Sequence, residues 1–214
     1  MENLRVVGAL HSTELKFLQS RINPHFLFNT LNMIVQTANL EGADGTARLL
    51  ETTAELLRYS FSKLSMPVSM ADELDNIKNY ITIQQIRLGD RLQFHCEAEE
   101  QCQKQLMPCM ILQPLVENSI THGIGPKVDG GAVSLRVFGK GGRCCFEIED
   151  DGVGIPEGRL AQINSMHSVQ NESQASIGIE NVYQRLMIFY RQDVAFEIES
   201  RPGKTLVHIE LPLT

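Results

Sequence analysis

Pro24-His25-Phe26-Leu27-Phe28-Asn29 sets a histidine directly after a proline, near the start of a helical run. At helical pitch His25, Asn29, Asn32 and Gln36 fall at i, i+4, i+7 and i+11, one polar stripe. Leu27, Leu31 and Ile34 fall on a different, apolar face. An imidazole on such a stripe meets solvent. Imidazoles as a class titrate near pH 6.5, so a large share is unprotonated and nucleophilic at cell pH. A lone helical histidine is more often an ordinary surface residue, so any chemistry needs support from elsewhere in the chain.

Four downstream stretches offer it. In Leu115-Val116-Glu117-Asn118-Ser119-Ile120-Thr121-His122-Gly123, Asn118 and His122 are four apart and share a helical face. A side-chain amide oxygen suits Mg²⁺ on phosphates, although a surface Asn before a Gly cap reads the same way. Glu149-Asp150-Asp151-Gly152-Val153-Gly154 puts a carboxylate at a strand end beside a turn that a flat ligand can approach. A carboxylate accepts but does not donate, which fits the exocyclic amine of adenine; DxGxG alone is also a common turn. Ser176-Ile177-Gly178-Ile179-Glu180-Asn181 opens a helix whose free amides suit phosphate. Gly203-Lys204-Thr205 is a fainter signal of the same kind.

The elements that must position these residues follow from periodicity. Leu15, Leu18 and Ile22 mark a stripe running into the Asn23-Pro24 step, where proline kinks or starts a helix. Glu41 to Gly45 is a turn signal, and Leu50, Ala54, Leu57, Phe61 and Leu64 form a heptad-like seam. Two such helices make an antiparallel hairpin with one exposed apolar seam. A second copy would cover it as a four-helix bundle, so a homodimer is expected on burial grounds, although an intrachain partner would do the same work. Asp72 to Leu88 reads as a linker helix. Beyond it, Leu92–Cys96, Gly131–Phe138, Cys144–Asp150, Val194–Ser200 and Thr205–Leu211 read as strands, with helices over Met110–Gly123 and Ile177–Arg191. The polar run from Leu160 to Ser176 reads as a mobile loop beside a site. An α+β protein is predicted: a helical dimerisation region ending in the linker helix over 1–88, and a sandwich domain over 89–214.

Composition narrows the function classes. A net charge of −7 argues against nucleic acid as a partner. The five cysteines lack a CxxC pair, so neither a disulfide framework nor a zinc site is indicated, and reduced thiols are expected. Adjacent Cys144 and Cys145 should point to opposite strand faces. No apolar run reaches membrane-spanning length, and the first residues do not read as a signal peptide.

In their order, His25, the Asn118 stretch, Asp150-x-Gly152-x-Gly154, the Gly178 stretch and Gly203-Lys204-Thr205 resemble the H, N, G1, G2 and final glycine boxes of a sensor histidine kinase. Pro24-His25-Phe26-Leu27-Phe28-Asn29 and Gln113-Pro114-Leu115-Val116-Glu117-Asn118 look like the LytS-type subfamily, as do Tyr80, Gln84, Arg87 and Asp90-Arg91-Leu92. The resemblance runs from about Leu15 to Pro212. It implies a Bergerat-type (GHKL) ATP-binding sandwich behind a dimeric helical hairpin, with ATP and Mg as cofactors. His25 would be the phosphoacceptor and Asn29 an orienting residue. Asn118 would hold Mg²⁺ and Asp150 the adenine amine. His122, Gly123, Gly152, Gly154, Gly178, Asn181 and Thr205 would complete the nucleotide site. The phosphoryl group would pass to the receiver domain of a response regulator. The resemblance also implies a cytoplasmic region of an inner- or plasma-membrane receptor, with the transmembrane sensor upstream.

The sequence departs from the family pattern at two places. Phe26 stands where many histidine kinases carry an acid after the phosphoacceptor, and Asn29 cannot accept a proton at neutral pH, so the general base is unassigned. Ser176 stands where a glycine is common. Two rival readings remain. An ATP-hydrolysing relative needs a glutamate one turn before the Asn; Pro114 holds that place, and Glu117 lies about 100° round the helix. A catalytically silent dimeric nucleotide-binding scaffold is disfavoured by the intact Asn118, Asp150, Gly152 and Gly154.

Overall fold

Apolar residues at helical spacing, bounded by Pro24 and a Gly42 turn, produce the first helix of the computed structural model, α1 (Pro24–Leu40). The structure describes residues 24–63, 66–164 and 177–213. It divides into two compact units, Met1–Leu57 and Arg58–Thr214, each taken by itself below. The Leu15, Leu18, Ile22 and Asn23 expectation, Leu64 of the seam, and the polar run after Asn164 as far as Ser176 lie outside the described residues.

In the first unit, α1 is followed after a short turn by α2 (Asp44–Lys63), whose residues from Arg58 onward, Tyr59 among them, belong to the second unit. Gly42 takes φ +71°, and the Ala43 amide returns to the Ala38 carbonyl at 2.8 Å, which satisfies the end of α1. Asp44 then starts α2 with an acid in its first turn, where the helix dipole favours it. Val35, Ala38 and Ala47 form a small buried cluster with Ala43 and Leu50 packed against it. The buried positions of α1 are therefore Val35 and Ala38, and Ile34, expected on the apolar face, is exposed. Phe26, Met33 and Leu40 are exposed as well.

The second unit is built on a five-stranded mixed sheet of β2 (Leu92–Ala98), β4 (Gly131–Lys140), β5 (Arg143–Asp150), β6 (Ala195–Arg201) and β7 (Lys204–Pro212). Their order is β2-β4-β5-β7-β6, with β2–β4 parallel and the other pairs antiparallel. The two tight turns are those expected from Gly139–Gly142 and Arg201–Lys204. Strand β7 alternates cleanly: Thr205, Val207, Ile209 and Leu211 are buried, while His208 and Glu210 face outward beside Glu147. Fully burying a side chain such as Phe146 or Ile209 stabilises the fold by roughly 1.5–3 kcal/mol. Cys144 and Cys145 point to opposite faces yet are both fully buried.

Three helices supply the other core wall: α3 (Met70–Leu88), α4 (Leu112–Asn118) and α6 (Ile177–Phe189). Helix α3 begins with a reciprocal capping box between Ser69 and Asp72. Helix α6 buries Ile179, Val182 and Leu186 and ends before Arg191 and Gln192, both at positive φ. Several features were not expected. A small antiparallel pair, β1 (Pro67–Ser69) with β3 (Leu106–Pro108), flanks α3. Helix α5 (Glu157–Asn164) occupies the start of the stretch read as a loop from Leu160. The helix expected from Met110 starts only at Leu112, because Met110 takes φ +57°. Past Asn118 it widens into a π-turn over Ser119–Ile124, closed by the Gly125 amide on the Ile120 carbonyl at 2.7 Å.

Candidate functional site

Asp150, the last residue of β5, is 3% exposed, and the turn after it bends back so that the Gly152 amide donates to its Oδ1 at 3.0 Å. Ser119, at the first position of the π-turn, also hydrogen-bonds the carboxyl. Burial raises the Asp150 pKa above its ordinary value; the Ser119 and Gly152 bonds oppose that rise and help keep the carboxylate an acceptor. The fit around it leaves no room. A Cβ on Gly123 would lie 2.5 Å from Asp150 Oδ1, and one on Gly152 would lie 2.4 Å from the Gly123 backbone and 2.6 Å from the same oxygen. Both glycines are thus required by close approach. The neighbouring acid, Asp151, is otherwise engaged: its Oδ1 accepts from the Ala132 amide and from Lys127 Nζ, each at 3.0 Å.

Backbone bonds draw the remaining segments together. The Val153 amide donates to the Gly123 carbonyl at 3.0 Å, and the Gly203 amide to the Gly152 carbonyl at 3.0 Å. Ser200 Oγ accepts from the Ile155 amide at 2.8 Å and lies 3.0 Å from Thr205 Oγ1. The faint Gly203-Lys204-Thr205 signal is therefore seated against the DxGxG turn.

The result is a cavity of about 320 Å³, within the range of small-molecule sites. Asn118, His122, Gly123, Asp150, Gly154 and Thr205 line it, from chain segments separated by up to 87 residues in sequence. Gly152 packs directly behind Asp150. Asn118 sits where the α-helix gives way to the π-turn, and its Nδ2 is buried without a hydrogen-bond partner. A Cβ on Gly178 would lie 3.6 Å from that nitrogen, an ordinary contact, so Gly178 flanks Asn118 without being sterically required. Asn181 is exposed on α6 and is not among the lining residues.

Sequence reasoning missed most of the wall. Leu115, Val153, Ile155, Ile163, Ile179, Ile198 and Val207 make it apolar, as a flat heteroaromatic ring requires, and Arg159 adds a cation. Arg159 and Ile163 come from α5, whose traces in the sequence are Pro156 just ahead of it and Leu160 and Ile163 three apart.

His25 and Asn29 belong to the first unit. His25 is exposed on the first turn of α1, and Asn29 Nδ2 lies 3.3 Å from its Nδ1 and 3.4 Å from its Nε2. The i, i+4 relation is therefore realised as a side-chain contact.

Comparison with known proteins adds to this geometry. Residues 13–92 match the family model described as histidine kinase, and residues 103–214, more than half of the chain, match that of histidine kinase-, DNA gyrase B- and HSP90-like ATPases. The sensor histidine kinase YesM of Bacillus subtilis is 30% identical over 212 residues, covering 99% of this chain and 35% of its own length. YpdA of Escherichia coli, also a sensor histidine kinase, is 35% identical over 190 residues, 88% of this chain and 32% of its own length. The sensor protein LytS of Enterococcus faecalis is 28% identical over 205 residues, with 95% and 35% covered. The chain spans about a third of the length of these relatives. Among solved structures, the histidine kinase domain of the blue-light activated kinase of Erythrobacter litoralis EL346 aligns at TM-score 0.52 and 19% identity over 93% of each chain. The catalytic domain of histidine kinase ThkA aligns at TM-score 0.53 and 11% identity, over 70% of this chain and 95% of that one. These two likenesses concern the fold alone.

Proposed function

Since this chain belongs to the sensor histidine kinase family, we propose that it binds ATP with Mg²⁺ in the Asp150 cavity and transfers the γ-phosphoryl group to His25. The observation that carries this reading is the convergence of Asn118 and Asp150 on one apolar-walled cavity, with the Asn118 amide buried and unpartnered. Such an orphaned group in a pocket calls for a ligand. Asn118 fits Mg²⁺, since its amide can be turned to present oxygen. When bound, the metal would neutralise charge on the phosphate oxygens.

The chain's own residues do the rest. Asp150 accepts the exocyclic amine of adenine, while Ile163, Ile179 and Ile198 exclude water from the ring. Amides at Gly178 and the exposed face of Asn181, with His122, serve the phosphate side, while Thr205, the cross-strand partner of Asp150, serves the adenine side. A lone pair of the His25 ring attacks the γ-phosphorus; an N–P bond forms, the bond to the β-phosphate oxygen breaks, and ADP leaves with that electron pair. Asn29, already against the ring, orients it. The phosphoryl group then passes to a receiver-domain aspartate of a response regulator. Within residues 1–88, expected as the dimerisation and phosphoacceptor region, α1 and the first part of α2 would carry that role, while α3 packs into the same unit as the catalytic domain of 89–214. Exposed Phe26, Met33, Ile34 and Leu40 on α1 support a homodimer. No helix among the described residues is long and apolar enough to cross a membrane. The reading places these residues on the cytoplasmic side, beneath a membrane-borne sensor.

Purified protein given labelled ATP and Mg²⁺ should gain an acid-labile, base-stable phosphate that His25→Gln lacks. Equal labelling of the variant would remove His25 from the mechanism.

A further inference from the structure

Glu73, on the first turn of α3, is completely buried, and four donors converge on its two oxygens. Oε1 accepts from the Met110 amide at 2.6 Å and from the Tyr59 hydroxyl. Oε2 accepts from the Ile111 and Leu112 amides at 2.8 and 2.9 Å. The carboxylate thus acts wholly as an acceptor and meets the backbone just where Met110 adopts φ +57°. A non-glycine residue at positive φ is strained and persists only when its surroundings hold it. Here Glu73 does the holding, helped by Arg185 from α6, whose guanidinium reaches the Met110 carbonyl at 3.4 Å. One turn further along α3, Asn76 Nδ2 donates to Gln113 Oε1 at 2.8 Å.

This bend is the start of α4, and Asn118 is its last residue. A helix of seven residues moves as a rod, so whatever sets its beginning sets where the Asn118 amide is presented. Asp150 is fixed mainly elsewhere, by β5 within the sheet and by the Gly152 amide, and touches the end of α4 only through its Ser119 hydrogen bond. Tyr59 lies on α2, the helix that follows the one bearing His25. Burial, with the Glu73 charge beside it, pushes the Tyr59 pKa up, so the hydroxyl remains a donor.

We propose that Glu73 is a positioning residue of the nucleotide site: it holds the Met110–Leu112 amides so that α4 presents Asn118 to the metal-bound phosphates, and Tyr59 ties that hold to α2. The inference rests on the reading of the cavity as an ATP·Mg²⁺ site. It divides the site in two. The phosphate end depends on Glu73 and Tyr59 directly, and the adenine end only through the single Ser119 bond to Asp150.

The test uses the full chain as wild type, Glu73→Gln and Tyr59→Phe. ATP affinity is measured calorimetrically with Mg²⁺ and with EDTA, alongside amide hydrogen exchange over residues 110–118. A glutamine side chain can accept on one side only, so two of the four donors lose their partner. In Glu73→Gln the Mg²⁺-dependent gain in affinity should shrink by about tenfold, with exchange of these amides faster by at least as much. Affinity in EDTA should fall much less, by no more than about threefold, since β5 and the Gly152 amide still hold Asp150 and only its Ser119 bond is open to a shift of α4. Tyr59→Phe keeps the ring and loses one bond, so it should move both readouts by about three- to fivefold. It also keeps the test alive if Glu73→Gln does not fold. Faster exchange with the Mg²⁺ gain intact would make Glu73 merely structural and overturn the proposal. A Tyr59→Phe protein identical to wild type would overturn the tether. Wild-type protein that binds no ATP in either buffer would overturn the kinase reading itself, and this inference with it.

Discussion

His25 stands exposed at the start of α1, with Asn29 one turn away at 3.3 Å, whereas Asp150 is buried and is gripped by Ser119, Gly123 and Gly152 from two different chain segments. The contrast matches what the proposed reaction asks of each group. A nucleophile that must accept a phosphoryl group and later surrender it to another protein needs access, and a contact between helix neighbours supplies orientation at little cost. A nucleotide cradle needs its dipoles fixed before the substrate arrives, because reorganising them during reaction would raise the barrier. That demands burial, close approach and bonds between distant segments.

The comparison can be broken first at the glycines. Gly152→Ala places a methyl carbon 2.4 Å from the Gly123 backbone, so Asp150 must shift, and ATP affinity should fall about a hundredfold. Gly178→Ala meets nothing closer than 3.6 Å and should leave affinity within about twofold. Calorimetric titration of both variants decides the matter; equal losses would mean the cradle is not set by close packing. Next in size is Asp150→Asn, which removes a charged acceptor and should weaken ATP by ~1.5–3 kcal/mol, about ten- to a hundredfold. Adenine nucleotides that bind this variant as tightly as wild type would refute the adenine assignment.

The smallest effect lies in the scaffold. Ser69→Ala removes the capping box of α3 and should cost ~1 kcal/mol in urea unfolding at neutral pH. Hydrogen bonds from the Ser69 hydroxyl and amide hold the Asp72 carboxyl below its ordinary pKa of 3.8. Because the folded-state value is depressed, that stabilisation is present above pH 3.8 and lost as pH falls through the lower value. The deficit of the variant should therefore shrink on going from pH 7 to about pH 3. Equal deficits at both would take the Asp72 carboxylate out of the cap.

Much of the site could be read from spacing. Asn118 and His122 at i, i+4, and the Asp150-x-Gly152-x-Gly154 turn at a strand end, state their chemistry locally. Ser119 could not be singled out: a serine next to Asn118 becomes a partner of Asp150 only because the π-turn swings it toward β5. Glu73 was hidden for the same reason, as an acid on a helix is ordinarily a solvent-facing residue. Gly152 and Gly178 look alike in the sequence, yet only the first is crowded. Helix α5 was lost in a polar run because Leu160 and Ile163 alone are too few to define a period.

By itself the amino-acid sequence decided the family, the α+β class, the hairpins around Gly139–Gly142 and Arg201–Lys204, and the His25–Asn29 stripe. The hairpins and the stripe depend on residues within a turn or two of one another, where side-chain periodicity and turn chemistry act directly, and the family rests on several such local motifs in a fixed order along the chain. Tertiary structure alone decided that Glu73 would anchor Met110–Leu112, that Gly123 and Gly152 would close on Asp150, and that the Asn118 amide would be left without a partner. Those outcomes depend on which surfaces meet when the core excludes water, and no local pattern carries that information.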